Sequence, residues 1–132
     1  METKYNEATL NRPKGDRIID APFVFIDLEK YARQLISEEA WTRNDRNSIT
    51  VHKTEGLTQV LTCLRGDAMI KDNLVGGFIS FQVLEGSVEI SVLTGKAQLG
   101  RLQIITIHPD IMHTIRAVEN SLILISTWMQ PH

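Results

Sequence analysis

The sequence predicts an all-β antiparallel barrel or sandwich preceded by a polar arm and one helix. Two observations carry this. From Ser48 onward the apolar period drops from about 3.6 to 2. The β-rich runs are short and separated by turn signals at regular intervals.

The elements follow in order. Residues 1–17 are polar, carry Pro13 and Gly15, and read as a mobile arm or as a strand that orders only against a partner. Ile18 to Ile26 is apolar around an Ala21-Pro22 break, and the missing proline donor makes it an edge segment. Asp27 is placed to cap a helix from Leu28 to Trp41, with Leu28, Tyr31, Ala32 and Leu35 on one face. Thr42 to Asn47 ends it. The runs SITVH, LTQVLTCL, FISFQVL, SVEISVL, AQLG, LQIITI, HTIRAV and SLILISTW then alternate with turns at Arg65-Gly66-Asp67, Glu85-Gly86, Thr94-Gly95-Lys96, His108-Pro109-Asp110 and Glu119-Asn120. The expected organisation is one structural domain, with residues 1–47 as arm and helix and 48–132 as barrel.

Composition narrows the function. With 132 residues the chain is long enough for a core without a staple, and the single Cys63 makes neither an internal disulfide nor a thiolate zinc cluster. Fourteen basic against sixteen acidic residues leave a net charge of −2, so no nucleic-acid or anionic-membrane surface is expected. No apolar run approaches a membrane span and the start lacks a signal-peptide core, which points to the cytoplasm.

Two stretches resemble the paired motifs of the cupin family. The run Phe81-Gln82-Val83-Leu84-Glu85-Gly86 is similar to the hairpin that closes the first cupin motif. His113 sits where the second motif ends, with His108 at its usual proline and Asp110 at its usual glycine. Counting back from Gly86, Ile79 stands at the glutamate position, and Val75 and Asn73 at the two histidine positions. Gly77 to Gly86, together with Ala117 to Leu124, resembles a subgroup of small cupins whose ligand positions have turned apolar. The resemblance spans roughly Trp41 to Thr127. It implies a jelly-roll (double-stranded β-helix) barrel, and a homodimer with an exchanged N-terminal strand.

That alignment bears on the metal such barrels generally hold through three histidines and a carboxylate. Alternation puts Ile79, Phe81 and Val83 on one strand face and His113 with Ile115 on another. The lumen then holds one imidazole, one amide and apolar walls, a poor set for a first-row dication. No metal or other cofactor is expected; if a metal binds, His113 with Asn73 are its ligands. His113 reads as a polar anchor for a ligand or as a histidine satisfied by backbone or water. Asn73 is a second anchor or a turn residue. Asp110 is a left-handed turn residue, or a carboxylate orienting His113 as a general base. Lys71 and His52 read as solvated, Cys63 as core, and Gly76-Gly77 as a turn or a close backbone approach. The favoured function is a metal-free small-molecule-binding module using His113, Asn73, Ile79, Phe81, Val83 and Ile115. The alternatives are a metal-dependent oxygenase or isomerase with non-standard ligands, and a structural or regulatory dimer with a filled lumen.

Overall fold

The computed structural model describes residues 4–6 and 17–129. Two antiparallel sheets face each other. One contains β3 (Arg46–Thr54), β4 (Leu57–Leu64), β11 (Ser121–Trp128), β6 (Phe78–Glu85) and β9 (Ile104–Ile107), in the order β3-β4-β11-β6-β9. The other runs β5-β10-β7-β8, from β5 (Met69–Asn73), β10 (His113–Ala117), β7 (Ser87–Val92) and β8 (Gly95–Gly100).

The period-2 pattern explains which side chains meet. Ile79, Phe81 and Val83 of β6 point between the sheets and join Val88, Ile90, Leu99, Ile107, Ile115 and Ile123 in one buried cluster. The outer face of the larger sheet carries a second cluster. There Ile49, Val51, Leu61 and Cys63 pack against Leu35, with Leu28, Tyr31 and Ala32 of the same helix. The larger sheet is therefore apolar on both faces over the helix. That is why LTQVLTCL reads as a nearly continuous buried run toward its end rather than as clean alternation.

The N-terminal helix is shorter than its pattern. It divides into α1 (Leu28–Ser37) and α2 (Glu39–Arg43), with Glu38 extended at φ −79°, ψ 149°. Asp27 caps α1 as expected, its side chain accepting from the Lys30 amide at 3.1 Å. The break has a cause in β3: the Asn47 amide donates to the Leu35 carbonyl at 2.9 Å and to Glu38 Oε1 at 3.0 Å. The carboxylate also accepts from Gln34 at 3.2 Å. Tying the helix end to the sheet outweighs one more turn. Arg65 then seats α2, donating to the Trp41 carbonyl at 2.6 Å while its guanidinium lies 4.0 Å over the indole.

Three further expectations change. The arm does not wait for a partner throughout: β1 (Lys4–Asn6) pairs with β2 (Arg17–Asp20) of its own chain. Arg17 also donates to the Thr50 carbonyl at 2.6 Å, holding this hairpin beside β3. The rest of the arm lies outside the described residues. The edge segment expected to reach Ile26 is a strand only to Asp20; beyond it Val24 and Ile26 are half-buried, and Phe23 and Phe25 are each 86% exposed. Finally, Met69 to Asn73, absent from the strands expected above, forms β5. Asp72 sits at φ 49° where the β5–β10 register shifts, and this bulge hides the alternation.

Two glycines fix the chain path around β6. Gly86 ends the β6–β7 hairpin at φ 89°, and a Cβ there would collide with the Ser121 hydroxyl and lie 2.6 Å from the Asn120 carbonyl oxygen. Gly77 is the close-approach case: a Cβ would collide with the Trp128 carbonyl oxygen, a backbone atom that cannot swing away. Its neighbour Gly76 would place a Cβ 3.7 Å from the Met129 methyl, which is ordinary contact. In urea unfolding, Gly77→Ala is expected to lose about 1–3 kcal/mol by overpacking. Gly76→Ala should stay within about 0.5 kcal/mol of the parent. Equal losses at the two positions would refute the close approach.

Candidate functional site at the barrel mouth

β10 brings the site together because its alternation is strict. His113, Ile115 and Ala117 point inward and are buried, whereas Thr114 and Arg116 are half-buried on the other face. His113 pairs across the ladder with Asn73 of β5 on one side and Val92 of β7 on the other. These three residues form the last inward-facing row of the smaller sheet. His113 and Asn73, forty residues apart, are thus brought into contact.

The imidazole is 2% exposed and held at both nitrogens. Nδ1 lies 2.9 Å from the Ile111 carbonyl oxygen, and Nε2 lies 3.0 Å from Asn73 Nδ2. A carbonyl only accepts, so Nδ1 carries the proton and Nε2 receives the Asn73 amide hydrogen. The ring edge packs on Phe81, centroids 5.5 Å apart at 67°. This tautomer is set by the backbone at Ile111, not by a carboxylate. The Asp110 general-base alternative is corrected accordingly. Asp110 is a turn residue at φ 62°, and its amide donates to the Val75 carbonyl at 2.9 Å, tying the His108–Met112 turn to the β5–β6 connection.

The same contacts test the fit to a metal. The Nε2 lone pair that would bind a cation accepts the Asn73 hydrogen bond instead. Val75 and Ile79, which the sequence resemblance sets at the remaining ligand positions, offer no donor side chain. Among the described residues no group of three or more His, Cys, Asp and Glu side chains is placed to hold an ion. His108 packs edge-on against Phe78, with ring centroids 4.9 Å apart. A dehydrated dication needs several anionic or imidazole donors, and this set does not fit one.

The predicted apolar walls need a correction. Phe81, Val83 and Ile115 are 1%, 0% and 0% exposed and Ile79 is 4% exposed, packed side to side in the inter-sheet cluster. Phe81 backs the His113 ring, and the four leave almost no surface for a ligand to touch. Open space lies instead at the mouth, as a cleft of about 560 Å³ lined chiefly by Val92, Ile105, Ile107, Asp110, Ile111 and Met112. Met112 precedes His113 and Val92 is its ladder partner. Period-2 reading alone missed this lining, because it names faces but not which strands are neighbours. Lys71 is exposed as expected, while His52 is half-buried rather than solvated.

Two other cavities lie apart from His113. One of about 500 Å³ lies alongside α1, near Ala32, Ile36, Trp41 and Leu122. Another of about 510 Å³ lies by Leu57, Phe78, Trp128 and Met129. Cys63 borders the first but is buried, its thiol 3.4 Å from the Asn47 carbonyl, and burial pushes its pKa up from the ordinary value. It behaves as a core side chain rather than as a nucleophile.

Comparison with solved structures agrees with this architecture. A protein from Thermus thermophilus superposes with a TM-score of 0.67 at 21% identity, covering 83% of this chain and all of that one. The cupin domain of Cnp3 from Schizosaccharomyces pombe gives 0.63 at 12% identity over 98% of this chain and 89% of its own. A cupin superfamily protein from Desulfitobacterium hafniense gives 0.63 at 15% identity over 66% and 80%. The chain has the cupin fold. No protein-family model and no curated protein matches its sequence. Among the described residues no helix is long and apolar enough to cross a membrane.

The hydrogen bonds around His113 make one spectroscopic prediction. In long-range proton–nitrogen spectra at alkaline pH, its Nδ1 should show the protonated and its Nε2 the lone-pair shift. The reverse pattern would mean that the Ile111 carbonyl does not hold the ring.

Proposed function

We propose that this protein is a metal-independent small-molecule-binding cupin whose ligand sits in the mouth cleft. His113 and Asn73 form the polar end of the lumen beside it, and Ile79, Phe81, Val83 and Ile115 hold that end rigid from behind. The observation that carries this reading is the engagement of His113 Nε2 by Asn73 in a lumen whose other motif positions are apolar. Because that pair's hydrogen bonds are satisfied within the chain, it braces the end of the lumen, and the largely apolar lining of the cleft beside it suits a small organic molecule. The pair does not suit Lewis-acid chemistry. Protein purified without chelator should contain well under one equivalent of iron, manganese, nickel or zinc. Adding one equivalent of zinc or manganese should leave the His113 ring signals and the melting temperature unchanged. Stoichiometric metal, or metal-induced shifts at His113, would overturn the reading.

The full burial of Val83, Ile115 and Ile123 favours a second reading, a filled barrel serving as a structural or regulatory subunit. Both readings accommodate a homodimer. Phe23 and Phe25 are exposed on a segment whose half-buried Ile26 packs on the chain's own core. Two aromatic rings left in water on such a segment support its packing against a second copy. Light scattering should return twice the chain mass, and Phe23→Asp with Phe25→Asp should halve it without unfolding the barrel. A parent mass of one chain would refute the dimer.

A further inference from the structure

The chemistry of the mouth cleft narrows the ligand class, an inference that rests on the reading above. Its walls are Val92, Leu93, Ile105, Ile107, Ile111 and Met112. Several are unusually bare for large apolar side chains: Leu93 is fully exposed, Met112 is 52% and Ile111 41% exposed. Interspersed are Thr94, Thr106, His108 and Asp110. Asp110 is the one acidic side chain of this lining, and neither lysine nor arginine belongs to it. No ion pair within 4.0 Å occupies the Asp110 carboxylate among the described residues. The turn that presents it is fixed from below by the bond from its amide to the Val75 carbonyl.

An apolar shelf with one unpaired carboxylate at its rim complements an organic cation and repels an anion. We infer that the cleft takes an amine with an apolar body, its ammonium at Asp110 and its hydrocarbon over Val92, Ile105 and Met112. The carboxylate is exposed to solvent, so charge shifts affinity by factors of several rather than by orders of magnitude. The apolar body supplies most of the binding and the charge supplies the choice.

Benzylamine, benzyl alcohol and benzoate share a ring and differ in charge, which makes them suitable probes. Each is titrated into the full-length protein at pH 8, above the range in which ordinary imidazoles titrate. Backbone amide shifts give the dissociation constants. Benzylamine is expected to shift the amides of Val92, Leu93, Ile107 and Met112 and to bind at least threefold more tightly than benzyl alcohol. Benzoate is expected to bind most weakly. Asp110→Asn keeps a residue tolerant of the left-handed backbone and should bring benzylamine to parity with benzyl alcohol, leaving the alcohol's affinity unchanged. Alcohol or benzoate binding in the cleft as tightly as the amine overturns the cation preference while the site stands. An undiminished preference in Asp110→Asn overturns the assignment to that carboxylate. No cleft shifts with any of the three overturns both this inference and the ligand-binding reading.

Discussion

The relay from the Ile111 carbonyl through His113 to Asn73 is the constraint on which the barrel mouth depends. It joins the turn before β10 to the end of β5 through a ring that is almost fully buried. In an apolar surround each nitrogen needs its partner, since an unsatisfied buried polar atom costs about 1–3 kcal/mol. The relay therefore does two things at once. It closes the β5–β10 ladder at its last row, and it consumes the lone pair that a metal would require.

Packing turns this local bond into a rigid site. Phe81 meets the ring edge-on, and Phe81 itself lies in a cluster contributed by both sheets. On the reverse side of the same sheet, α1 covers Leu61 and Cys63. The larger sheet is thus clamped between two apolar layers, and the lumen has little freedom to open. Near His113, space for a ligand opens where the clamp ends, at the turns after β7 and β9. Rigidity behind and openness in front come from the same arrangement.

Much of the architecture was legible in the linear pattern. The strands LTQVLTCL and SLILISTW coincide with β4 and β11, the Asp27 cap is real, and Gly86 needs a positive φ. Local chemistry sufficed for these: alternation, a capping carboxylate and a hairpin glycine. The misses share a different origin. The helix break at Glu38 depends on Asn47, β5 is disguised by the bulge at Asp72, and Gly77 is special because of Trp128. Each depends on a residue or register that only folding supplies.

The site divides along the same line. Sequence by itself determined that His113 and Ile115 share a face and that Ile79, Phe81 and Val83 give an apolar one, because side-chain direction in a strand follows from residue spacing alone; that Asn73 and Ile79 stand at ligand positions is what the resemblance to the cupin motifs implies. Tertiary structure alone decided that Asn73 reaches His113 Nε2 and that Val92 stands on its other side. It also decided that the open space lies at the mouth and not among Phe81, Val83 and Ile115. Strand order and register, set by the packing of distant segments, carry that information, and no local pattern contains it.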